Sequence, residues 1–474
     1  MDTPRDDAPE LPATCTWLNA RPLRLADLRG RPVVLAFVNA ASAWCMQRAA
    51  ELAGWCQRHP GAVQAIVVQV PRFDFEREPV QSLALLRRQG IPLPAVLDRD
   101  WQAWRGFGID AWPTLLLLGA DGRERGRLVG DGEPLDRALD ALVAGAPPIL
   151  DEELASLGGL DAEARRPLRF PAGLAVAGDR LYVADSGHHR VLECTLGGRV
   201  LRTFGTGVAG FNDGMPEESA FNRPQGLALA RGELYVADTG NHALRRVHLG
   251  SGQVSTLVGN GRPGEPREGV VEDPAQVPLH HPAGLALAGN VLLVAMAGDN
   301  RIWGYDLGRH ALGWRAGSGA LESRDGSGHL AAFAQPWALA AVQHALYVGD
   351  ALSSSVRTMQ LAGDLVQTTL GQRSNWEFGH DDGPRNQASL QFPQALALSP
   401  SAPLLWIADA GNGSLRVLRL GGGELSTVAL PRPLHGPTGL AAGEDAVWIS
   451  ETDAHMLLRY EPASGLLSEV TIEA

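Results

Sequence analysis

The sequence predicts an α/β domain followed by an all-β propeller of six blades. Apolar runs typical of buried strands alternate with helical patterns up to about residue 143, and helical patterns disappear after residue 166. In the remainder, a proline-containing unit recurs six times. The predicted parts are a tail at 1–16, the α/β domain at 17–145, a linker at 146–166 and the propeller at 167–474.

Composition places the chain among globular proteins, with 45% hydrophobic and 20% charged residues. The formal net charge of −12 argues against nucleic acid or an anionic membrane as a partner. No apolar run reaches the roughly 18 residues of a membrane span, and the first residues lack the apolar segment of a secretory signal. Four cysteines do not make a disulfide framework. We therefore expect a cytoplasmic protein.

The α/β domain is predicted from five apolar segments and three helical ones. The predicted strands are residues 33–38, 65–70, 95–97, 114–118 and 124–129, and the predicted helices are residues 45–57, 79–89 and 135–143. Asp121-Gly122 is a hairpin turn between the last two strands. Because helical crossovers separate the earlier strands, we expect a partly parallel sheet covered on both faces.

The propeller is predicted from the six repeated units. Their openings share a proline before a short strand, at Pro171, Pro224, Pro282, Pro336, Pro393 and Pro437, with spacings of 53, 58, 54, 57 and 44 residues. The first unit contains four strand-like segments, at residues 173–177, 180–184, 190–195 and 200–204. Four short strands in each unit are typical of a propeller blade, so six units indicate six blades.

Two sequence segments carry a family resemblance. The segments YVADSGHHR, from Tyr182 to Arg190, and YVADTGNH, from Tyr235 to His242, resemble NHL repeats. The α/β part resembles a thioredoxin-like domain of the redoxin type. In this order the two resemble the thioredoxin–NHL-repeat proteins, which implies a cytosolic protein and supplies no substrate and no cofactor.

The resemblance directs attention to the turn after the central strand. A dithiol oxidoreductase of this kind has an attacking cysteine at that turn and a resolving cysteine three residues later, five and eight residues after an aromatic residue. Phe37 is the aromatic residue, so the two positions fall on Ser42 and Cys45. The resulting motif is Ser42-Ala43-Trp44-Cys45. A competing alignment makes Cys45 the attacker and places Arg48 where its partner would be.

Neither alignment supplies a Cys-x-x-Cys pair. Cys56 follows Cys45 by eleven residues, which on a helix brings it back to the same side but about 16 Å along the axis, too far for a bridge. A mixed disulfide at Cys45 is then released only by an outside thiol. We therefore predict a binding or scaffold protein with a disabled exchange site. The alternative is a single-cysteine thiol–disulfide oxidoreductase that uses Cys45 with an external thiol.

Pro113 lies in the segment Ala111-Trp112-Pro113-Thr114, before a predicted strand. This segment resembles the thioredoxin loop whose proline is cis and packs opposite the cysteines. The resemblance implies a groove that binds an extended peptide, even where thiol exchange is lost. The alternative is that Pro113 only shapes the turn.

Acidic residues end the second strand of five units: Asp185, Asp238, Asp350, Asp409 and Glu451. The third unit has Met296 instead. Arginines follow five or seven residues later, at Arg190, Arg245, Arg301, Arg357 and Arg416. We expect the acids to accept hydrogen bonds from turn N–H groups, and the alternative is a functional ring of ion pairs. The loops with Asp213-Gly214, Asp325-Gly326 and Asp382-Gly383 lack the alternating oxygen ligands of a calcium loop, so no metal site is predicted.

Four side chains near the predicted channel are candidates for a ligand or partner surface. His280 and His281 precede an innermost strand, and His435 is the only imidazole at the equivalent positions of the other units. Trp337 occupies a position that otherwise carries small or medium-sized residues. We expect this face of the propeller to bind a protein or a small molecule, and a histidine-based catalytic site is a weaker hypothesis.

Overall fold

The computed structural model describes residues 7–130, 134–145, 166–371 and 376–473. The chain divides into two compact units, residues 1–164 and 165–474. Almost all of the predicted linker lies outside the described residues. Within the described ranges, no helix is both long and apolar enough to cross a lipid bilayer.

The first unit contains one six-stranded sheet. Its strands are β1 (Thr16–Trp17), β2 (Val33–Val38), β3 (Gln64–Gln69), β4 (Ala95–Leu97), β5 (Thr114–Leu118) and β6 (Glu124–Val129). Their order is β1-β4-β3-β2-β5-β6. Strands β2, β3 and β4 are parallel, whereas β5 is antiparallel to β2. The helices are α1 (Ala43–Arg58), α2 (Pro79–Arg88), α3 (Gln102–Gly106) and α4 (Leu135–Val143).

Both faces of this sheet are buried, as the sequence predicts. Alternate side chains of a strand point to opposite faces, so the apolar run of β2 serves two cores. Val34 and Ala36 pack with Leu52 of α1 on one face. Leu35 and Phe37 pack with Phe107, just after α3, on the other. Strand β1 and helix α3 are not predicted from the sequence, because two and five residues are too short to show a period.

The second unit is a six-bladed β-propeller. Blade 1 has β7 (Pro171–Ala177), β8 (Arg180–Asp185), β9 (Arg190–Thr195) and β10 (Val200–Phe204); blade 2 has β11 (Pro224–Ala230), β12 (Glu233–Asp238), β13 (Ala243–His248) and β14 (Val254–Val258). Blade 3 has β16 (Pro282–Ala288), β17 (Val291–Met296), β18 (Arg301–Asp306) and β19 (Ala311–Ala316); blade 4 has β20 (Pro336–Ala341), β21 (Ala345–Asp350), β22 (Ser355–Gln360) and β23 (Val366–Leu370). Blade 5 has β25 (Pro393–Leu398), β26 (Leu404–Asp409), β27 (Ser414–Arg419) and β28 (Glu424–Thr427); blade 6 has β29 (Pro437–Ala442), β30 (Val447–Glu451), β31 (Met456–Glu461) and β32 (Leu466–Val470). Two short strands, β15 (Gly269–Val270) and β24 (Gly383–Pro384), pair with the outer strands β19 and β28. Every innermost strand begins at one of the six predicted prolines.

The ring closes without a strand shared between the first and last blades. The innermost strands of blades 6 and 1 are neighbours, like those of the other blades. The Thr452 hydroxyl donates to the Pro171 carbonyl at 2.6 Å. At the outer edge, the Val200 N–H donates to the Glu473 carbonyl at 2.9 Å. A Cβ added to Gly439 would lie 1.9 Å from the Ala172 carbonyl oxygen, so the backbones at this joint approach as closely as only glycine allows.

Candidate functional site

Ser42 begins the helix that follows the central strand. It has extended φ and ψ of −89° and 122°, which is usual for an N-cap residue, and its Oγ accepts a hydrogen bond from the Cys45 N–H at 3.4 Å. The Met46 N–H donates to the Ser42 carbonyl at 3.0 Å. The Ser42 hydroxyl therefore caps α1.

Cys45 is buried in the first turn of α1, with 1% of its surface exposed. Burial raises the pKa of its thiol to about 11, although hydrogen bonds from the Asn39 backbone and the Ser42 side chain act in the opposite direction and Glu76 adds to the rise. All four cysteines of the chain are free thiols. At neutral pH, a thiol with this pKa is ionised in only about one molecule in ten thousand. The first turn of α1 therefore carries a protonated, inaccessible sulfur.

A buried carboxylate lies behind this turn. Glu76 is fully buried, and it accepts hydrogen bonds from the Asn39 amide at 2.8 Å, the Gln69 amide at 3.2 Å and the Phe73 N–H at 3.0 Å. Burial raises its pKa, and these donors lower it. Asn39 also contacts Cys45, so the cluster fixes the loop between β2 and α1. This cluster is not predicted from the sequence, although a glutamine in an apolar strand, Gln69, is a signal for it.

The peptide bond between Trp112 and Pro113 is cis. Trp112 packs against the apolar cluster that contains Cys45. It also forms a triangle with two further tryptophans, with ring centroids 5.0 Å from Trp101 and 4.9 Å from Trp104. The cis proline loop is thus bordered by three indole rings, whose proximity is not predicted from the sequence.

Histidines on the propeller link one blade to the next. His189 Nδ1 accepts a hydrogen bond from the Arg223 N–H at 3.2 Å, and His242 Nδ1 accepts one from the His281 N–H at 3.2 Å. The same position holds Asn300, Ser354 and His455 in other blades, whose side chains accept from the N–H groups of Gln335, Phe392 and Phe170. Burial lowers the pKa of His189 to about 4 and that of His242 to about 3, which keeps both rings neutral and able to accept.

Two of the four predicted ligand-surface residues lie together. The ring centroids of His280 and His281 are 5.2 Å apart, and that of His242 is 4.4 Å from His281. His435 is exposed in blade 6, on the opposite side of the ring from blade 3, and its N–H donates to Glu451 at 2.8 Å. The structure therefore does not assemble a catalytic group from these three histidines. Among the described residues, no group of three or more His, Cys, Asp or Glu side chains is placed to hold a metal ion.

Trp337 lines the central channel. It borders a cavity of ≈ 70 Å³, together with Gln225, Gln394 and Thr438 from the innermost strands of other blades. The channel at this level is too small for a drug-sized molecule, which needs about 300 Å³ or more. Trp337 therefore contributes to a narrow mouth.

Four of the five strand-ending acids pair with arginines inside their own blades, and Glu451 pairs with Arg432 in the connection before blade 6. Arg245 Nη1 lies 2.8 Å from Asp238 Oδ2, and Arg416 Nη1 lies 2.7 Å from Asp409 Oδ2. The acids also accept backbone hydrogen bonds from the residue two before each proline; Asp238, for example, accepts from the Asn222 N–H at 2.7 Å. The expected acceptor role is therefore present, but the backbone N–H donors precede the innermost strand. The turn contributes side-chain donors instead, such as Asn241 Nδ2 to Asp238 at 2.8 Å and Asn412 Nδ2 to Asp409 at 2.8 Å.

The aspartates of the Asp-Gly loops hold the same arginines from the other side. The second guanidinium nitrogens of Arg245, Arg357 and Arg416 lie 2.8, 2.8 and 2.7 Å from Asp213, Asp325 and Asp382. Each of these arginine side chains is 0% exposed. The loop carboxylates are therefore occupied by buried guanidinium groups.

Comparisons with known proteins match the repeated units of the propeller. The NHL repeat model matches residues 168–194 and 221–246, in blades 1 and 2. The chain is 30% identical over 527 residues to NHL repeat-containing protein 2 of Gallus gallus, and the alignment covers 100% of this chain and 72% of that protein. The chain belongs to the NHL repeat-containing protein 2 family.

Further similarities are to a plant protein and to solved structures. The protein named SUPPRESSOR OF QUENCHING 1, chloroplastic, of Arabidopsis thaliana is 30% identical over 492 residues, which cover 95% of this chain and 46% of that protein. Among solved structures, the one titled "Streptogramin B lyase structure" is 14% identical, with a TM-score of 0.43 over 66% of this chain and 86% of that chain. We infer no function of this member of the NHL repeat-containing protein 2 family from that structure.

Proposed function

We propose that the protein is a binding or scaffold protein, in which a thioredoxin-like α/β domain has lost dithiol exchange and the propeller binds a protein or a small ligand. The observation that carries this proposal is the state of Cys45. Its thiol is 1% exposed with a pKa of about 11. The position three residues before it holds a serine whose hydroxyl caps the helix.

The chemistry of exchange explains why this arrangement favours binding. Exchange needs an accessible thiolate for attack and a second thiol to release the mixed disulfide. A serine hydroxyl does not ionise near neutral pH, so Ser42 cannot replace the first cysteine. The loop with the cis bond at Pro113 and its three tryptophans remains available as the docking surface for an extended peptide.

The test compares thiol exchange in the parent protein with that in three variants. We expect the parent protein to show no insulin reduction or glutathione exchange above background, and Cys45→Ser to behave in the same way. Cys56→Ser is the matched control, since Cys56 lies in the same helix and its pKa is also raised to about 11. Exchange activity that is lost in Cys45→Ser and kept in Cys56→Ser would establish the single-cysteine oxidoreductase instead.

The third variant, Ser42→Cys, places two cysteines three residues apart at the start of α1. We expect it to gain measurable exchange and to form an internal disulfide detectable by mass spectrometry after oxidation. If it gains neither, residues 42 and 45 do not occupy the two positions of a thioredoxin-like site, and the α/β part of the proposal is wrong.

A further inference from the structure

A cavity of ≈ 360 Å³ lies between blades 4 and 5. Its walls come from β21, β22 and β23 of blade 4, from β27 and the following turn of blade 5, and from two loop residues, Asp325 and Arg385. No residue of an innermost strand lines it. Its volume falls within the range of about 300–1,000 Å³ that is usual for small-molecule sites. None of the ligand-surface residues predicted from the sequence lines it.

The cavity corresponds to the space that two side chains, Arg315 and Asp364, fill between blades 3 and 4, because smaller residues stand at the corresponding positions between blades 4 and 5. Between blades 3 and 4, Arg315 crosses the gap, with Nη2 at 2.6 Å from Asp364 Oδ1 and 3.1 Å from the Leu361 carbonyl. Strands β19 and β23 each contain a β-bulge at the same position of their ladders. The bulged residue is Arg315 in β19 and Thr369 in β23, so Thr369 corresponds to Arg315. On the other side of the interface, Leu420 of blade 5 is the counterpart of Leu361 in blade 4. Gly423 follows Leu420 by three residues, as Asp364 follows Leu361, so Gly423 corresponds to Asp364.

The walls of the cavity are polar. Two side chains supply guanidinium groups, Arg385 and Arg419, and both residues are exposed at its rim. Within the described part of the chain, neither guanidinium forms an ion pair or a hydrogen bond. Hydroxyl and amide groups come from Tyr347, Thr358, Gln360, Gln367 and Thr369.

The charged residues that line the cavity are two arginines and one aspartate, so the lining is net positive although the protein carries a net charge of −12. The one carboxylate at the cavity, Asp325, is neutralised by the buried Arg357, whose Nη2 lies 2.8 Å from Asp325 Oδ1. Thr368 also donates to Asp325 at 2.8 Å. Two guanidinium groups without a carboxylate partner, beside several hydroxyl and amide groups, are suited to an anion that also carries hydroxyls.

We propose that this cavity binds a small hydroxylated anion, a sugar phosphate or a hydroxycarboxylate, between Arg385 and Arg419. The anionic group lies between the two guanidiniums, and the hydroxyls of the ligand contact the threonine and glutamine side chains. This site is independent of Cys45, and it holds whether or not the α/β domain exchanges thiols.

The first experiment is calorimetric titration of the full chain with glucose 6-phosphate, citrate and inorganic phosphate, with glucose as the neutral control. We expect glucose 6-phosphate or citrate to bind more tightly than inorganic phosphate, and glucose not to bind. Arg385→Ala combined with Arg419→Ala should raise the dissociation constant at least tenfold. Arg309→Ala removes another exposed arginine, 85% exposed in blade 3, and should leave it unchanged. The proposal is wrong if none of the anions binds, if glucose binds equally well, or if Arg309→Ala has the same effect.

A second variant tests the same site without removing a charge from it. Thr369→Arg combined with Gly423→Asp should rebuild the pair seen between Arg315 and Asp364. Gly423 has a φ of 67° and Asp364 one of 52°, so an aspartate is compatible with this backbone. We expect the filled variant to melt at a higher temperature and to lose anion binding. Unchanged binding in a variant that remains folded would show that the anion lies elsewhere.

Discussion

Hydrogen bonds from single side chains join consecutive blades, and their chemistry differs from blade to blade. Histidine accepts the backbone N–H of the next blade at His189, His242 and His455, whereas asparagine and serine do so at Asn300 and Ser354. Gly413 occupies the sixth position, where an added Cβ would lie 2.6 Å from the Leu434 carbonyl oxygen. The sequence shows that these residues recur at the same position of a turn. It does not show that they accept hydrogen bonds, because the donor is a backbone N–H group of the next blade.

The histidine links should make the propeller sensitive to acid. The pKa of His242 is lowered from 6.5 to about 3 in the folded protein, mainly by burial. Between pH 6.5 and pH 3 the unfolded chain therefore binds more protons at His242 than the folded protein does. The contribution of the neutral ring to the free energy of unfolding is complete above pH 6.5 and is lost as the pH falls. For His242 we expect roughly 1.5 kcal/mol of this loss between pH 6.5 and pH 5.

The variant His242→Asn isolates this effect, because Asn300 makes the equivalent bond without titrating. Its stability in urea, measured from pH 7.5 to 4.5, should fall less steeply than that of the parent protein. Asp238 and Asp409 have pKa values raised to about 6 and give the opposite slope, but they are present in both proteins. His242→Ala should cost about 1–3 kcal/mol at pH 7.5, since the His281 N–H loses its acceptor. Parallel pH profiles for the parent and His242→Asn would contradict the assignment.

At the scale of elements, strand positions were predictable and contacts between distant segments were not. The sequence gives β2, β5 and β6 with the bounds that the structure has, because each is a distinct run between turn residues. It places the start of α1 two residues late, since the cap at Ser42 was considered only as part of a cysteine motif. The arginines of the third strands and the Asp-Gly loops appear as separate features in the sequence. In the structure they form one unit, as in blade 5, where Arg416 of β27 pairs with Asp382 of the loop.

From this unit we expect the substitution of Arg416 to destabilise the protein strongly and that of Arg419, in the same strand, to have little effect on stability. Arg416 is buried between Asp409 and Asp382, so Arg416→Ala leaves a fully buried carboxylate without its charge partner. We expect a loss of about 3–5 kcal/mol in the free energy of unfolding, measured with denaturant at pH 7.5. Arg419→Ala in the same strand removes an exposed guanidinium and should change stability by less than about 0.5 kcal/mol. A loss below 1 kcal/mol for Arg416→Ala would show that the pair is not a structural requirement.

The repeat spacing predicts six blades at the scale of the whole molecule, but it does not predict how the ring closes. Closure depends on groups that are far apart in sequence, such as Ser450, whose hydroxyl donates to the Ala172 carbonyl at 2.5 Å. Ile472 packs into the apolar cluster of blades 1 and 6. No strand is shared between these two blades, since each contains four described strands from its own repeat.

The joint between blades 6 and 1 should open more readily than the others. Thr452 donates to the Pro171 carbonyl at 2.6 Å, and Thr239 makes the same contact with the Pro282 carbonyl at 2.6 Å. When the Thr239 bond is lost, blades 2 and 3 are still joined by the chain segment between β14 and β16. Within the propeller, blades 6 and 1 are connected along the chain only through the four blades between them. Loop closure over the longer path costs more entropy, so chain connectivity restrains this joint less than the joint between blades 2 and 3.

We therefore expect Thr452→Val to accelerate amide hydrogen exchange in β7 and β29 more than Thr239→Val accelerates it in β11 and β16. Each substitution keeps the side-chain shape and removes one hydroxyl, so both should cost about 1–2 kcal/mol in global stability. Exchange measured by mass spectrometry separates the local effect from the global one. Equal acceleration at the two joints would mean that packing between blades, and not chain connectivity, determines where the ring opens.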